Sequence, residues 1–112
     1  MRYDPPHNRC IVCSPRFCRP SWLYVAHDLT RGLTKIGKSV NVSARFQYYR
    51  RETRRDIRLV AKWQPSCDWI VLDFEAMAQA RLPQELRVNG DWYSIEPDTA
   101  VRAVQWVAGG LS

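Results

Sequence analysis

The spacing of apolar residues changes several times along the chain and predicts an α+β domain from about residue 21 onward. Apolar runs at 23–26 and 33–37 flank a segment rich in turn-forming residues, which predicts a β-hairpin. Residues 57–63 alternate with a period of two and predict a third strand, which we expect to end at Pro65.

Helical spacing appears in three other segments. A first helix is predicted from a cap at Ser39 or Asn41 to about Arg51. Its apolar positions are Val42, Phe46 and Tyr49. Two more helices are predicted, one at about 68–82 and one that begins at Pro97 and is stopped by Gly109-Gly110.

The remaining segments complete the predicted order. Asn89-Gly90 indicates a turn and 92–95 a short strand, so the order is β-β-α-β-α-(β)-α. Residues 1–20 contain four prolines and three cysteines without an apolar period, which predicts a loop-rich N-terminal arm. We therefore expect this arm, 1–20, followed by one folded domain, 21–112.

Charge is distributed unevenly over the 112 residues. Residues 1–65 hold 14 Lys/Arg and 4 Asp/Glu, whereas residues 66–112 hold 3 and 7. Arginine supplies 14 of the 17 basic residues, and its planar guanidinium suits phosphate groups. This balance favours a polyanionic partner, most simply nucleic acid, with a solvated surface that aids solubility as the alternative.

The chain carries no pattern of membrane insertion or export. No apolar run approaches the roughly 18 residues of a membrane span. No apolar segment of the signal-peptide type follows the first residues. We therefore expect no membrane partner and a cytoplasmic location.

Three charged residues stand where the pattern favours apolar ones. Arg45 falls within the apolar stripe of the first helix, Glu75 beside the seam of the second, and Lys35 in an apolar strand. Charges that are partly buried are costly unless paired, so they often mark working sites. The alternative is one structural Arg45–Glu75 salt bridge.

Two strand motifs and three following residues resemble a known nuclease family. Trp22-Leu23-Tyr24 and Lys35-Ile36-Gly37 resemble the paired motifs that name the GIY-YIG endonucleases. Arg45 follows Gly37 by eight residues, where that family places its helix arginine. Lys38 and Tyr49 match positions held by lysine and tyrosine in the excision nucleases of the family.

The resemblance continues to about residue 95. The run that begins at Glu75 is similar to the helix that carries the metal-binding glutamate. The segment 89–93, Asn-Gly-Asp-Trp-Tyr, resembles the G-E-W-F ending of a phage-rich subfamily in which K-I-G commonly replaces Y-I-G. Asn89 matches the downstream asparagine of the family. The resemblance implies a small three-stranded antiparallel sheet flanked by helices, β-β-α-β-α, in a bacterial or phage-infected cell.

The same resemblance implies a metal-dependent DNA endonuclease with a one-metal mechanism. Glu75 would hold one divalent ion, Mg²⁺ or Mn²⁺, on the phosphate. Tyr24 would activate or position the attacking water, and Arg45 would stabilise charge on the phosphate oxygens. A phenol titrates near pH 10, so nearby cations would have to lower the pKa of Tyr24. Those cations are Lys35, Lys38 and Arg45.

Some positions depart from the family pattern. Trp22 stands in place of the glycine of the first motif, and Lys35 in place of the tyrosine of the second. A second tyrosine near the water would have to come from Tyr48 or Tyr49. Gln79 stands where the subfamily often has histidine.

Five arginines crowd the end of the first helix and the start of the third strand. They are Arg50, Arg51, Arg54, Arg55 and Arg58. Cations also suit a helix C-terminus, but five would repel one another. We interpret them as nucleic-acid-binding residues that follow the phosphate backbone.

The cysteines have the character of metal ligands. Cys10, Cys13 and Cys18 would form one tetrahedral zinc site, with either Cys67 or His7 as the last ligand. Unligated thiols are the alternative, because the second pair lacks the usual spacing.

Three function hypotheses follow. The first is the metal-dependent endonuclease, with specificity drawn from a partner protein because so small a domain has few elements for reading bases. The second is a catalytically weak DNA-binding accessory module of a phage or mobile element on the same fold. The third, an interaction protein unrelated to nucleic acid, leaves the charge asymmetry and motif spacing unexplained.

Overall fold

The computed structural model describes the backbone of residues 3–4, 9–10 and 20–109, and the side chains of 20–64 and 71–107. Strands β1 (Tyr3–Asp4) and β2 (Arg9–Cys10) pair with each other. The main sheet contains β3 (Pro20–Asp28), β4 (Leu33–Ser39), β5 (Ile57–Cys67), β6 (Arg87–Asn89) and β7 (Trp92–Tyr93). The helices are α1 (Val42–Thr53), α2 (Asp68–Ala80) and α3 (Pro97–Gly109), and none of those described could span a membrane.

The sheet has five strands in the order β5-β3-β4-β7-β6, and every neighbouring pair is antiparallel. The α+β class is therefore confirmed, but the expectation of three strands is wrong. The short strand predicted at 92–95 is present as β7, which is two residues long, and it joins the sheet. Strand β6 was not predicted, because three residues are too few for a period to be read from the sequence.

Helices cover both faces of the sheet because β3 is apolar on both sides. Leu23 and Val25 pack against residues of α2 and α3, whereas Tyr24 and Ala26 pack against α1. Successive side chains of a strand point to opposite faces, so this uninterrupted apolar run supplies two cores at once. Tyr24 is thereby placed in the layer between the sheet and α1.

The start of α1 and the extent of β5 both have local causes. The side chain of Asn41 accepts a hydrogen bond from the N–H of Ala44 at 3.0 Å, so Asn41 caps α1. Strand β5 continues through Pro65 instead of ending there as the sequence predicts. It lies at the edge of the sheet, where the missing N–H of proline is tolerated.

The β3–β4 turn is organised by a buried carboxylate. Asp28 is fully buried and accepts hydrogen bonds from the backbone N–H groups of Thr30 and Arg31. The guanidinium of Arg31 also donates to it at 2.7 Å. Burial alone would raise the pKa of Asp28, but the bonds from Arg31 and Thr30 outweigh it and lower that pKa.

Replacing Asp28 by asparagine is expected to cost about 2–3 kcal/mol of unfolding free energy at pH 7. Because the folded-state pKa is lowered, the contribution of the ionised carboxylate is present above about pH 4 and is lost as the pH falls through that lower pKa. Urea unfolding at pH 7 and at low pH measures it, with the exposed Asp98→Asn as control. If the difference in unfolding free energy between wild type and variant is as large at low pH as at pH 7, this role is contradicted.

Candidate active site

Two phenol groups meet between the sheet and α1. The hydroxyls of Tyr24 and Tyr49 are hydrogen-bonded at 2.7 Å, and both side chains are buried. The ring of Phe46 contacts both in edge-to-face geometry, with centroids 5.4 Å away in each case. Of the two tyrosines considered as a second phenol, Tyr49 is the one that reaches Tyr24, while Tyr48 is half exposed.

Burial raises the pKa of Tyr24, and the neighbouring phenol of Tyr49 raises it further. The charge of Arg45 lowers this pKa and that of Glu75 raises it, but the net change is upward. The expectation that nearby cations bring the pKa of Tyr24 down overall is therefore wrong: Arg45 lowers it, but burial outweighs that charge. The sequence revealed the cations but not the depth at which the phenol is buried. Without further charge nearby, Tyr24 stays protonated at neutral pH.

Gly37 leaves the space that the Tyr24 ring occupies. The two residues lie opposite each other in the β3–β4 register. A Cβ atom at position 37 would lie 2.6 Å from both Cζ and the hydroxyl oxygen of Tyr24. Such an approach is too close for any side chain, so the glycine of the second motif is required by the position of the phenol.

Replacing Gly37 by alanine should displace the Tyr24 ring and cost about 1–3 kcal/mol of stability, the usual range for an overpacked core. Urea unfolding measures the cost. A double-mutant cycle with Tyr24→Ala provides the control, because removing the ring should remove most of the penalty at position 37. Equal penalties in both backgrounds would contradict the contact.

Arg45 is exposed, contrary to its predicted place within the buried stripe of α1. Val42, Phe46 and Tyr49 form that stripe, and the guanidinium lies beside it. The side chain lines an open recess of about 380 Å³ with Ser39, Asn41, Ala44 and Tyr48. No ion pair joins Arg45 to Glu75 in the part of the chain that the structure describes, so the structural salt bridge is not supported.

Glu75 on α2 is half-buried and faces the end of β4. Its carboxylate accepts a hydrogen bond from the backbone N–H of Lys38. Burial raises the pKa of Glu75, and the charge of Asp91 raises it further, whereas Lys38 and Lys35 lower it. The net direction is upward. Ionised Glu75 therefore lowers the free energy of unfolding, because burial disfavours its charge.

Lys35 and Lys38 lie on the strand between these groups. The ammonium of Lys35 lies 5.5 Å from the ring centroid of Tyr49 and 5.8 Å from that of Trp92. The charges of both lysines act on Glu75. Lys35 therefore lies between the Tyr49 ring and the Glu75 carboxylate, and together with Lys38 it brings residues of four elements, β3, β4, α1 and α2, into one region.

Near Glu75, the segment after α2 contributes Asp91, which was not predicted from the sequence, rather than the predicted Asn89. Asn89 is exposed on β6, opposite Trp92, and the charge that acts on Glu75 is that of Asp91. Asp91 also forms an ion pair of 3.5 Å with Arg87. An acidic residue stands at this place in the G-E-W-F pattern, and that correspondence could have identified it.

The arginine cluster is on the surface. Arg50, Arg51, Arg54 and Arg58 are exposed, and Arg55 is partly so. The guanidinium of Arg58 donates to both carboxylate oxygens of Asp56 at 3.2 Å. Among the described residues, the guanidinium groups of the other four form one ion pair, a long one of 3.9 Å between Arg51 and Glu52.

The side chains of the predicted zinc ligands lie outside the described part of the structure. His7, Cys10, Cys13, Cys18 and Cys67 belong to segments whose side chains the structure does not describe. Over the side chains of 20–64 and 71–107, no three metal-ligating residues lie together. The zinc site stays a prediction.

Comparison with protein-family models, curated proteins and solved structures finds no match for this chain.

Proposed function

We propose that the chain is a metal-dependent endonuclease that hydrolyses DNA phosphodiester bonds by a one-metal mechanism of GIY-YIG type. The observation that supports this most is the convergence of polar groups at one place. Tyr24 and Tyr49, the charges of Lys35 and Lys38, and Glu75 surround the end of β4. Arg45 acts on the same phenol, so four separate elements contribute to one cluster.

The donor groups fit a hard divalent cation. The carboxylate of Glu75 and the nearby carboxylate of Asp91 are oxygen ligands of the kind that Mg²⁺ and Mn²⁺ prefer. Two carboxylates without a third suit one ion that keeps most of its waters. When bound, such an ion would neutralise phosphate charge and make a water more acidic.

Arg45 is the group that suits the phosphate. Its exposed guanidinium borders the open recess, where it can donate two parallel hydrogen bonds to phosphate oxygens. Charge that builds on those oxygens during attack would be stabilised there without any reorganisation of the protein.

The phenol pair positions the nucleophile. Because the pKa of Tyr24 is raised, its hydroxyl remains protonated and acts as a hydrogen-bonding group rather than as a phenolate base. The second motif has Lys35 where the family has a tyrosine. Tyr49 would supply the missing phenol, since its hydroxyl bonds directly to that of Tyr24. Together they would hold a water in line with the phosphorus atom.

DNA would reach this site over the arginine cluster. Four of its members, Arg50, Arg51, Arg54 and Arg55, are available to phosphates, whereas Arg58 is engaged by Asp56. Each phosphate contact makes the negative slope of log K against log salt steeper by about 0.9. Replacing Arg54 by glutamine should therefore make this slope shallower by about one, and replacing Arg58 should change it less. Fluorescence-anisotropy titrations over a range of salt concentrations measure both, and equal slopes for all three proteins would contradict the assignment.

Incubation of labelled duplex DNA with the protein tests the proposal. We expect strand cleavage with Mg²⁺ or Mn²⁺ and none with EDTA. One observation favours a second candidate, a catalytically weak DNA-binding accessory module: the Tyr24 hydroxyl is buried and its pKa is raised. Salt-sensitive binding without cleavage in any divalent metal would establish that alternative instead.

A further inference from the structure

Strand β4 has an edge that no strand covers in the described part of the sheet. Its partner β7 pairs with it only at Thr34 and Lys35. The backbone from Ile36 to Ser39 therefore continues past the end of β7, where none of the described strands pairs with it on that side. Backbone groups that are partly buried in this way require other partners.

Two side chains of α2 provide those partners. The side-chain amide of Gln79 donates to the carbonyl oxygen of Ile36 at 2.9 Å. One helical turn earlier, the carboxylate of Glu75 accepts from the N–H of Lys38. Four residues of helix rise about 6 Å, and two residues of strand rise about 6.6 Å. The pair on the helix therefore matches the pair on the strand edge.

The two bonds restrain different things. The bond to Lys38 fixes the carboxylate of Glu75, but it depends on where α2 lies along β4. The bond from Gln79 to Ile36 fixes that position, because a shift of α2 along the strand would break it. Buried groups that hold a ligand in orientation contribute to metal affinity without touching the metal.

We propose that Gln79 is a positioning residue, which anchors α2 on the edge of β4 so that the Glu75 carboxylate meets the Lys38 N–H and faces the Tyr24–Arg45 site. The link to metal binding rests on the proposed function. The anchoring itself does not.

Replacing Gln79 by methionine tests this, because methionine is of similar length and cannot donate. Gln84→Met is the matched control: the Gln84 amide also donates to backbone carbonyls, those of residue 79 in α2 and of residue 82 just after it, and it accepts from the Tyr93 hydroxyl of β7, but it forms no hydrogen bond to β4 among the described residues. Amide exchange at Lys38 and Mn²⁺ affinity are measured for the wild type and both variants, with thermal unfolding as a check on the fold.

We expect Gln79→Met to accelerate amide exchange at Lys38 and to raise the Mn²⁺ dissociation constant about tenfold. Gln84→Met should lose a similar amount of thermal stability but change neither the Lys38 amide exchange nor the Mn²⁺ dissociation constant. Unchanged Lys38 exchange in Gln79→Met, or the same acceleration in Gln84→Met, would overturn the inference. Accelerated exchange at Lys38 only in Gln79→Met, in a protein whose wild type binds no Mn²⁺, would support the anchoring and count against the proposed function.

Discussion

Replacing Glu75 by glutamine is expected to reduce DNA cleavage by about a thousandfold or more, because metal-assisted stabilisation amounts to several kcal/mol of the barrier. Glutamine has nearly the same shape, and its amide oxygen can still accept from the Lys38 N–H. The change therefore removes the charge that holds the ion while leaving the local packing intact. Single-turnover cleavage in Mn²⁺ measures the loss.

The stability of this variant should not fall. Burial and Asp91 raise the pKa of Glu75, so keeping it ionised costs stability as the pH rises through that pKa. A neutral glutamine avoids this cost, and we expect an equal or higher melting temperature at pH 7. DNA affinity in EDTA should be unchanged.

The exposed Glu85→Gln is the control for loss of a carboxylate as such. It should cleave like the wild type. If Glu75→Gln retains cleavage, the carboxylate does not hold the catalytic ion, and Glu75 serves only to bind the edge of β4.

Replacing Arg45 by alanine is expected to lower the cleavage rate at saturating DNA by about 10²–10³-fold, the usual cost of removing one preorganised charge-stabilising donor. The side chain is exposed and forms no ion pair with another described residue, so its loss should leave the fold unaffected. Single-turnover rates over a series of protein concentrations separate this effect from weaker binding.

Arg51→Ala is the matched control for Arg45→Ala. It removes the same charge from the same helix but outside the recess that Arg45 lines. We expect it to weaken DNA binding and leave the saturating rate near that of wild type. Equal losses of rate in both variants would mean that Arg45 contributes only general electrostatic attraction.

The sequence predicted the elements that carry a clear period. The hairpin, the cap and apolar face of α1, and the helix that begins at Pro97 agree with the structure. Each of these elements is determined by residues close to it in the sequence, so the pattern that predicts it is local. The five-strand sheet was not predicted, although a short strand at 92–95 was: β7 is defined by its pairing with β4, and β6 by its pairing with β7, rather than by a period in their own residues.

The candidate site was predicted by residue but not in its environment. The motif spacing pointed to Tyr24, Arg45 and Glu75, and in the structure the charges of Arg45 and Glu75 both act on the Tyr24 phenol. It did not reveal that the Tyr24 phenol is buried and bonded to Tyr49, or that Arg45 lies outside the core. Those properties depend on how α1 lies on the sheet, which a one-dimensional pattern does not specify.

Nicking of supercoiled plasmid over a series of Mn²⁺ concentrations, by wild type and Glu75→Gln in parallel, tests the central claim most directly. This one assay shows whether nicking depends on the metal ion and whether it depends on Glu75. Saturable, EDTA-sensitive nicking by the wild type that is absent from an equally folded Glu75→Gln is the predicted result. Absence of nicking by folded wild type that still binds DNA, or equal nicking by both proteins, would contradict it.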